Sequence, residues 1–108
     1  MHHELANGRW KELTLAEQLA NIGSETYRVY NALLSKKEER ALSAYNRYNE
    51  LMDLTFSQGS IDGALSNNPA MWEELCRFRE LYCAAFLERN LPELAACNRY
   101  LDQFASIR

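Results

Sequence analysis

Arg79 is the side chain with the clearest chemical demand in this sequence, because it falls within a helical stripe of apolar residues. At roughly 100° per residue, the segment 69–89 places Trp72, Leu75, Cys76, Tyr82, Cys83 and Phe86 on one side, with Arg79 among them. Guanidinium groups carry a permanent charge, and one in such a place requires an acidic partner or an anionic ligand. The acid-partner reading points first to Glu25 and second to Asp102. The ligand reading makes Arg79 the floor of a pocket for phosphate or carboxylate, with Glu25, Arg28 and Arg77 around it and forked hydrogen bonds to the anion. Thr26, Asn49 and Asn98 also have inward phases, as further pocket groups or as members of one satisfied polar network.

Catalytic chemistry is disfavoured. The two histidines are His2 and His3, so the interior lacks the usual general base, and no serine or cysteine has an evident base partner. Glycine-rich phosphate loops and the Glu-x-x-His ligands of a di-iron bundle are absent. Glu73, Glu74 and Glu80 fall mostly on the polar side of their helix and read as a solvated face. Three cysteines, Cys76, Cys83 and Cys97, match neither a zinc nor a redox spacing and read as reduced core thiols. Met1-His2-His3 has the form of a square-planar copper or nickel chelate, which at a chain end reads as incidental. No cofactor is expected, and the chain reads as a non-enzyme.

Charge and length narrow the classes further. Twelve basic and fifteen acidic residues leave a net charge of −3, which provides no broad pull on nucleic acid or anionic lipid. Aromatic and basic residues alternate at Tyr45-Asn46-Arg47-Tyr48 and Asn98-Arg99-Tyr100, but Tyr45 and Tyr48 match the core phase of their helix, so packing explains them. The longest apolar run, 81–87, is far short of the ~20 residues of a membrane span, and no signal-peptide plan is seen at the N-terminus. A soluble, cytoplasmic protein is expected. The 108 residues suit one modest core.

The elements that must position these residues are four helices. Thr14 and Glu17 form a capping box before the stripe Leu15, Leu19, Ile22, Thr26, Val29 and Leu33, which predicts a helix over 15–34. Extending that stripe lands on Lys36 or Lys37, Arg40 and Arg47, so the phase breaks near Ser35. Ser35 with Glu38 reads as a second capping box, and Ala41, Tyr45, Tyr48, Met52, Thr55 and Phe56 begin a new stripe, predicting a helix over 36–57. Residues 58–68, rich in Gly, Ser and Asn, form a loop that could cross the end of the bundle. Asn68-Pro69 starts a third helix over 69–89, and Asn90 with Pro92 separates it from a fourth over 93–105, whose inner side carries Leu94, Cys97, Leu101, Phe104 and Ala105. The expected architecture is an all-α antiparallel four-helix bundle occupying 14–108, preceded by a partly ordered segment 1–13.

The first helix is broader than one stripe requires. Ala16, Ala20, Gly23, Tyr27, Tyr30 and Leu34 form an adjoining strip that something must cover. The N-terminal segment with Leu5, Trp10 and Leu13 could fold over it. Alternatively the strip, together with Leu81 on the third helix, forms a twofold contact, and a homodimer is the expected assembly.

Two stretches, Trp10-Lys11-Glu12-Leu13-Thr14-Leu15-Ala16-Glu17-Gln18-Leu19-Ala20-Asn21-Ile22-Gly23-Ser24-Glu25 and Glu74-Leu75-Cys76-Arg77-Phe78-Arg79-Glu80, resemble a family of small uncharacterised bacterial helical proteins. The resemblance covers most of the chain and implies a helical fold and a bacterial cytoplasmic setting. It transfers no catalytic or binding residue. Helical domains that act on RNA in toxin systems use an Arg followed several residues later by His, a pair missing here. The sequence thus leads to a protein that works by association, with itself or with another protein, and, as the rival reading, to a binder of a small anion or nucleotide centred on Arg79.

Overall fold

The computed structural model describes residues 9–105. Leu5 and the His2-His3 pair, with the expectations attached to them, lie outside the described residues. A single 3-10 turn, Trp10–Glu12, leads into four helices: α1 Leu15–Leu34, α2 Glu38–Gln58, α3 Pro69–Leu87 and α4 Leu91–Ala105. They form the expected all-α antiparallel bundle.

Helix α1 starts as its sequence requires. Thr14 Oγ1 accepts from Glu17 N at 3.1 Å while Glu17 Oε1 accepts from Thr14 N at 2.9 Å, so two of the donors that open a helix are satisfied reciprocally. A third is met from across the fold. Asp62, in the connection between α2 and α3, accepts from Leu15 N at 3.2 Å, from Ala64 N at 3.3 Å and from Ser60 Oγ at 2.6 Å. Burial by itself would raise the Asp62 carboxyl, but the hydrogen bonds from Ser60 and from the Leu15, Ala64 and Asp62 N–H groups outweigh it and hold the group below its ordinary value. Ile61 N also bonds Leu13 O at 2.9 Å, and Leu65 is buried, so the long connection does close this end of the bundle. Trp10 is buried beneath it, donating from Nε1 to Thr55 Oγ1 at 3.0 Å. Gln18 Nε2 ties the same corner to Trp10 O and Gly59 O.

The break between α1 and α2 differs from the capping box expected at Ser35. Lys36 has φ 59°, a left-handed residue; Lys36 N bonds Leu33 O at 3.1 Å and Lys37 N bonds Ala32 O at 2.8 Å. This paired closure satisfies the last carbonyls of α1 without a glycine. Ser35 therefore ends α1 instead of capping α2, whose N-cap is Lys37 with no side-chain hydrogen bond. Glu38 is drawn away by Arg89, whose Nη2 and Nε lie 2.6 and 3.2 Å from its carboxylate. That contact holds the Glu38 carboxyl below, and the Arg89 guanidinium above, their ordinary values. Helix α3 ends by the same device: Arg89 has φ 53°, with Arg89 N on Phe86 O and Asn90 N on Ala85 O. Asn90 then caps α4 through Glu93 N at 3.1 Å.

Helix α1 lies closest to α2 and α4. The small residues of its second strip serve α4 of the same chain: a Cβ at Gly23 would stand 3.5 Å from Leu101 Cβ, and Tyr27 donates to Asp102 at 2.8 Å. Backbones of α2 and α3 stay farther apart because rings fill the space between them. Tyr45 stacks on Phe86 at 3.9 Å between centroids, Tyr48 tilts against Tyr82 at 4.4 Å, and Phe56 meets Trp72 edge-on at 4.9 Å. Residues Leu15, Leu19, Ile22, Val29, Ala41, Tyr48, Met52, Leu94, Cys97 and Leu101 enter the core as their stripes predict, whereas Ala105 is exposed.

Because the added methyl at Gly23 would meet only ordinary van der Waals contact, Gly23→Ala should stabilise the protein by about 1 kcal/mol through helix propensity. Thermal unfolding should shift upward by roughly 5 °C. Gly23→Leu should lower it by prying α4 from α1.

Candidate functional site

The phase of α3 is displaced from the one its sequence suggests, and the chemistry moves with it. The buried line is Leu75, Phe78, Tyr82, Ala85 and Phe86, while Trp72 and Cys76 are exposed. Tyr100 of α4 stacks on Phe78 at 5.0 Å and pulls that side inward. Arg79, one residue beyond Phe78, consequently lies at the edge of the core, with its side chain 27% exposed. Its partner is neither Glu25 nor Asp102. Arg79 Nη2 bonds Asp53 Oδ1 at 2.8 Å, Asn49 Oδ1 at 3.2 Å and Asn49 O at 3.4 Å, all on α2.

Among the described residues the buried charge is Glu25, whose side chain is 4% exposed. Oε2 accepts from Arg28 Nη1 at 2.8 Å, one turn along α1, and Oε1 accepts from Arg47 Nε at 3.2 Å across from α2. Arg47 is steadied further, with Nη1 donating to Ser43 Oγ at 2.9 Å. A carboxylate so deeply placed is compatible with folding when its desolvation is offset by this kind of charge-assisted bonding.

On the outer side of these two arginines is a cavity of about 380 Å³ between the C-terminal half of α1 and the N-terminal half of α2. Four cationic side chains line it: Arg28, Lys37, Arg40 and Arg47. Ser35, Ser43 and Asn31 add hydroxyl and amide groups, and Ala32 and Ala44 the apolar part of its wall. Among the described residues no carboxylate lines the cavity. Among the described residues, Lys37 and Arg40 make no ion pair within 4.0 Å. Like charges gathered on one concave surface repel one another, and an anion placed among them would relieve that repulsion.

Of the residues singled out from sequence for ligand binding, only Glu25 and Arg28 belong to this cluster. Arg79 sits on the α2–α3 seam, and Arg77 lines a groove between α3 and α4. Lys37, Arg40 and Arg47 were marked in sequence as the point where the α1 stripe fails, and Arg47 also by its place between Tyr45 and Tyr48, but none of them as a ligand group. Their spacing of three and seven residues is itself a helical stripe, a cationic one, and that is the signal which would have found them. The strip proposed for a dimer contact also divides. Ala20, Gly23 and Tyr27 line a crevice with Leu101 and Asp102 of α4, Tyr30 packs on the core, Ala16 is half-buried, and Leu81 stands 52% exposed on α3. Thr26 bonds back to Gly23 O, Asn49 joins Arg79, and Asn98 Oδ1 meets no hydrogen-bond donor among the described residues, so the three do not form one network.

Two tyrosines of the aromatic seam and a thiol of α4 are buried. Burial raises Tyr48 and Tyr82 well above the ordinary phenol range, and pushes the Cys97 thiol up to about 11. Cys97 is buried as expected and Cys83 half-buried, whereas Cys76, also expected in the core, faces solvent. Among the described residues no three His, Cys, Asp or Glu side chains gather as a metal site, and no helix is long and apolar enough to cross a membrane. Comparison with protein-family models, with curated proteins and with solved structures returns no match.

The two guanidinium contacts should respond differently to mutation. Arg79→Leu replaces a partly solvated pair whose Asp53 is 69% exposed, and should change unfolding free energy by less than about 1 kcal/mol. Glu25→Ala leaves a cavity and two arginines without their buried acceptor, and should destabilise by about 2 kcal/mol. Denaturant midpoints of the two variants measure the contrast.

Proposed function

We propose that this protein is a non-catalytic binder of a small phosphate-bearing anion, held by Arg28, Lys37, Arg40 and Arg47. The observation that carries the reading is the convergence of these four cations on one cavity, in a chain whose net charge is −3. A scattered solvated surface would intersperse acids among them. Among the described residues none lines the cavity, and Glu25 lies behind it, orienting two of the arginines from within the core. Guanidinium groups held in this way have further N–H donors to offer the oxygens of a phosphate, and the cavity volume is near the lower end of small-ligand sites.

Isothermal calorimetry with inorganic phosphate at low ionic strength tests the reading. Binding should be detectable, should weaken strongly at about 0.5 M salt, and should disappear in Arg40→Ala/Arg47→Ala while surviving Arg79→Leu. Loss of binding in Arg79→Leu with retention in the double variant would return the site to the α2–α3 seam.

A second reading, self-association, is favoured by a different observation. Leu81 stands 52% exposed beside a largely apolar groove of about 230 Å³ between α3 and α4, which Phe78, Ala96 and Tyr100 also line. Glu74, Arg77 and Glu93 around it offer charges of both signs to a twofold mate. In light scattering, Leu81→Glu should convert a dimer to monomer. A wild-type chain that stays monomeric at high concentration removes this reading and leaves the first untouched.

A further inference from the structure

We infer that the ligand class of the basic cavity is a linear chain of linked phosphates, and that a nucleobase contributes nothing to its recognition. The inference rests on the anion-binding reading and deepens it by the arrangement of the cations. Arg40 and Arg47 are two turns apart on α2, about 10 Å along the axis, and Lys37 extends the row by nearly another turn. A single phosphate cannot span that distance. Two or more linked phosphates place successive charges along it.

The cations also differ in how they are held. Arg28 and Arg47 are tied to Glu25 at 2.8 and 3.2 Å, so their orientation is set before any anion arrives. Lys37 and Arg40 are exposed, and among the described residues no ion pair constrains them. The tied pair forms a fixed seat for one phosphate, and the exposed pair closes on the next one along. Ser35, Ser43 and Asn31 supply neutral hydrogen-bonding groups, suited to bridging oxygens and to hydroxyls.

What the wall lacks in aromatic residues decides against nucleotides. Among the described residues no Tyr, Phe or Trp lines the cavity, and the two alanines in its wall, Ala32 and Ala44, are buried. A purine ring would find no stacking partner there, although stacking is the commonest source of base affinity. Affinity should follow the number of linked phosphates and be indifferent to a base at the end of the chain.

Calorimetry with orthophosphate, pyrophosphate, tripolyphosphate and ATP at one low ionic strength tests this. Kd should fall by about tenfold from orthophosphate to tripolyphosphate, with ATP no tighter than tripolyphosphate. Lys37→Ala/Arg40→Ala should weaken tripolyphosphate binding far more than orthophosphate binding, so that the gain from added phosphates is lost. Arg99→Ala, which removes a distant exposed cation on α4, should leave the series unchanged and so separates a site from net charge; equal flattening by both variants would overturn the inference. Equal affinity for orthophosphate and tripolyphosphate, or ATP binding about tenfold tighter than tripolyphosphate, would also overturn it while leaving anion binding in place. Failure of every anion to bind wild-type protein would overturn both.

Discussion

Placing the Glu25 carboxylate inside the bundle obliges α1 and α2 to meet in one register, because the acid must find guanidinia on both helices at once. Arg28 satisfies one oxygen from the next turn of α1, and Arg47 satisfies the other only if α2 runs back alongside at the observed height. Sliding the helices by a turn would leave a buried carboxylate without its cross-helix cation, a large penalty beside the small net stability of a domain. The same pairing has a chemical result on the outside. With Arg47 anchored, the row of cations on α2 faces the end of α1 and encloses the basic cavity.

The rest of the architecture follows from what fills the seams. Small residues on α1 let α4 approach until Gly23 nears Leu101, while rings between α2 and α3 hold those helices apart. One seam is narrow and backbone-close, the other wide and aromatic. Between helices, the chain turns at Lys36 and Arg89, each in the left-handed region at some conformational cost. Arg89 offsets part of that cost, since its guanidinium lies 4.2 Å from the Phe86 ring and pairs with Glu38. That contact joins the end of α3 to the start of α2, at the same end of the bundle as the basic cavity.

The helices themselves were legible because capping and periodicity are local. Thr14 with Glu17 and Asn68 before Pro69 marked starts that the structure reproduces at Leu15 and Pro69, and the α1 and α2 stripes predicted most of their buried residues. The Ser35 and Glu38 box failed, because its glutamate had a stronger partner, Arg89, fifty-one positions away. On α3, apolar residues occur around much of the circumference, so the stripe could be centred on more than one line. Only α4, through Tyr100 against Phe78, selected among them.

What the sequence by itself determined about this protein was therefore the class of fold, the four segments and the bulk of the core, since each depends on neighbours within a turn or two. The tertiary structure alone decided which charge is buried and which cations share a cavity. The arginine that looked interior emerged at an edge beside Asp53, and the glutamate considered as its partner became the buried group, served by Arg28 and Arg47. The physical reason is that a helical pattern specifies angle around one axis, whereas pairing also needs the height and rotation of a second helix, which only packing supplies.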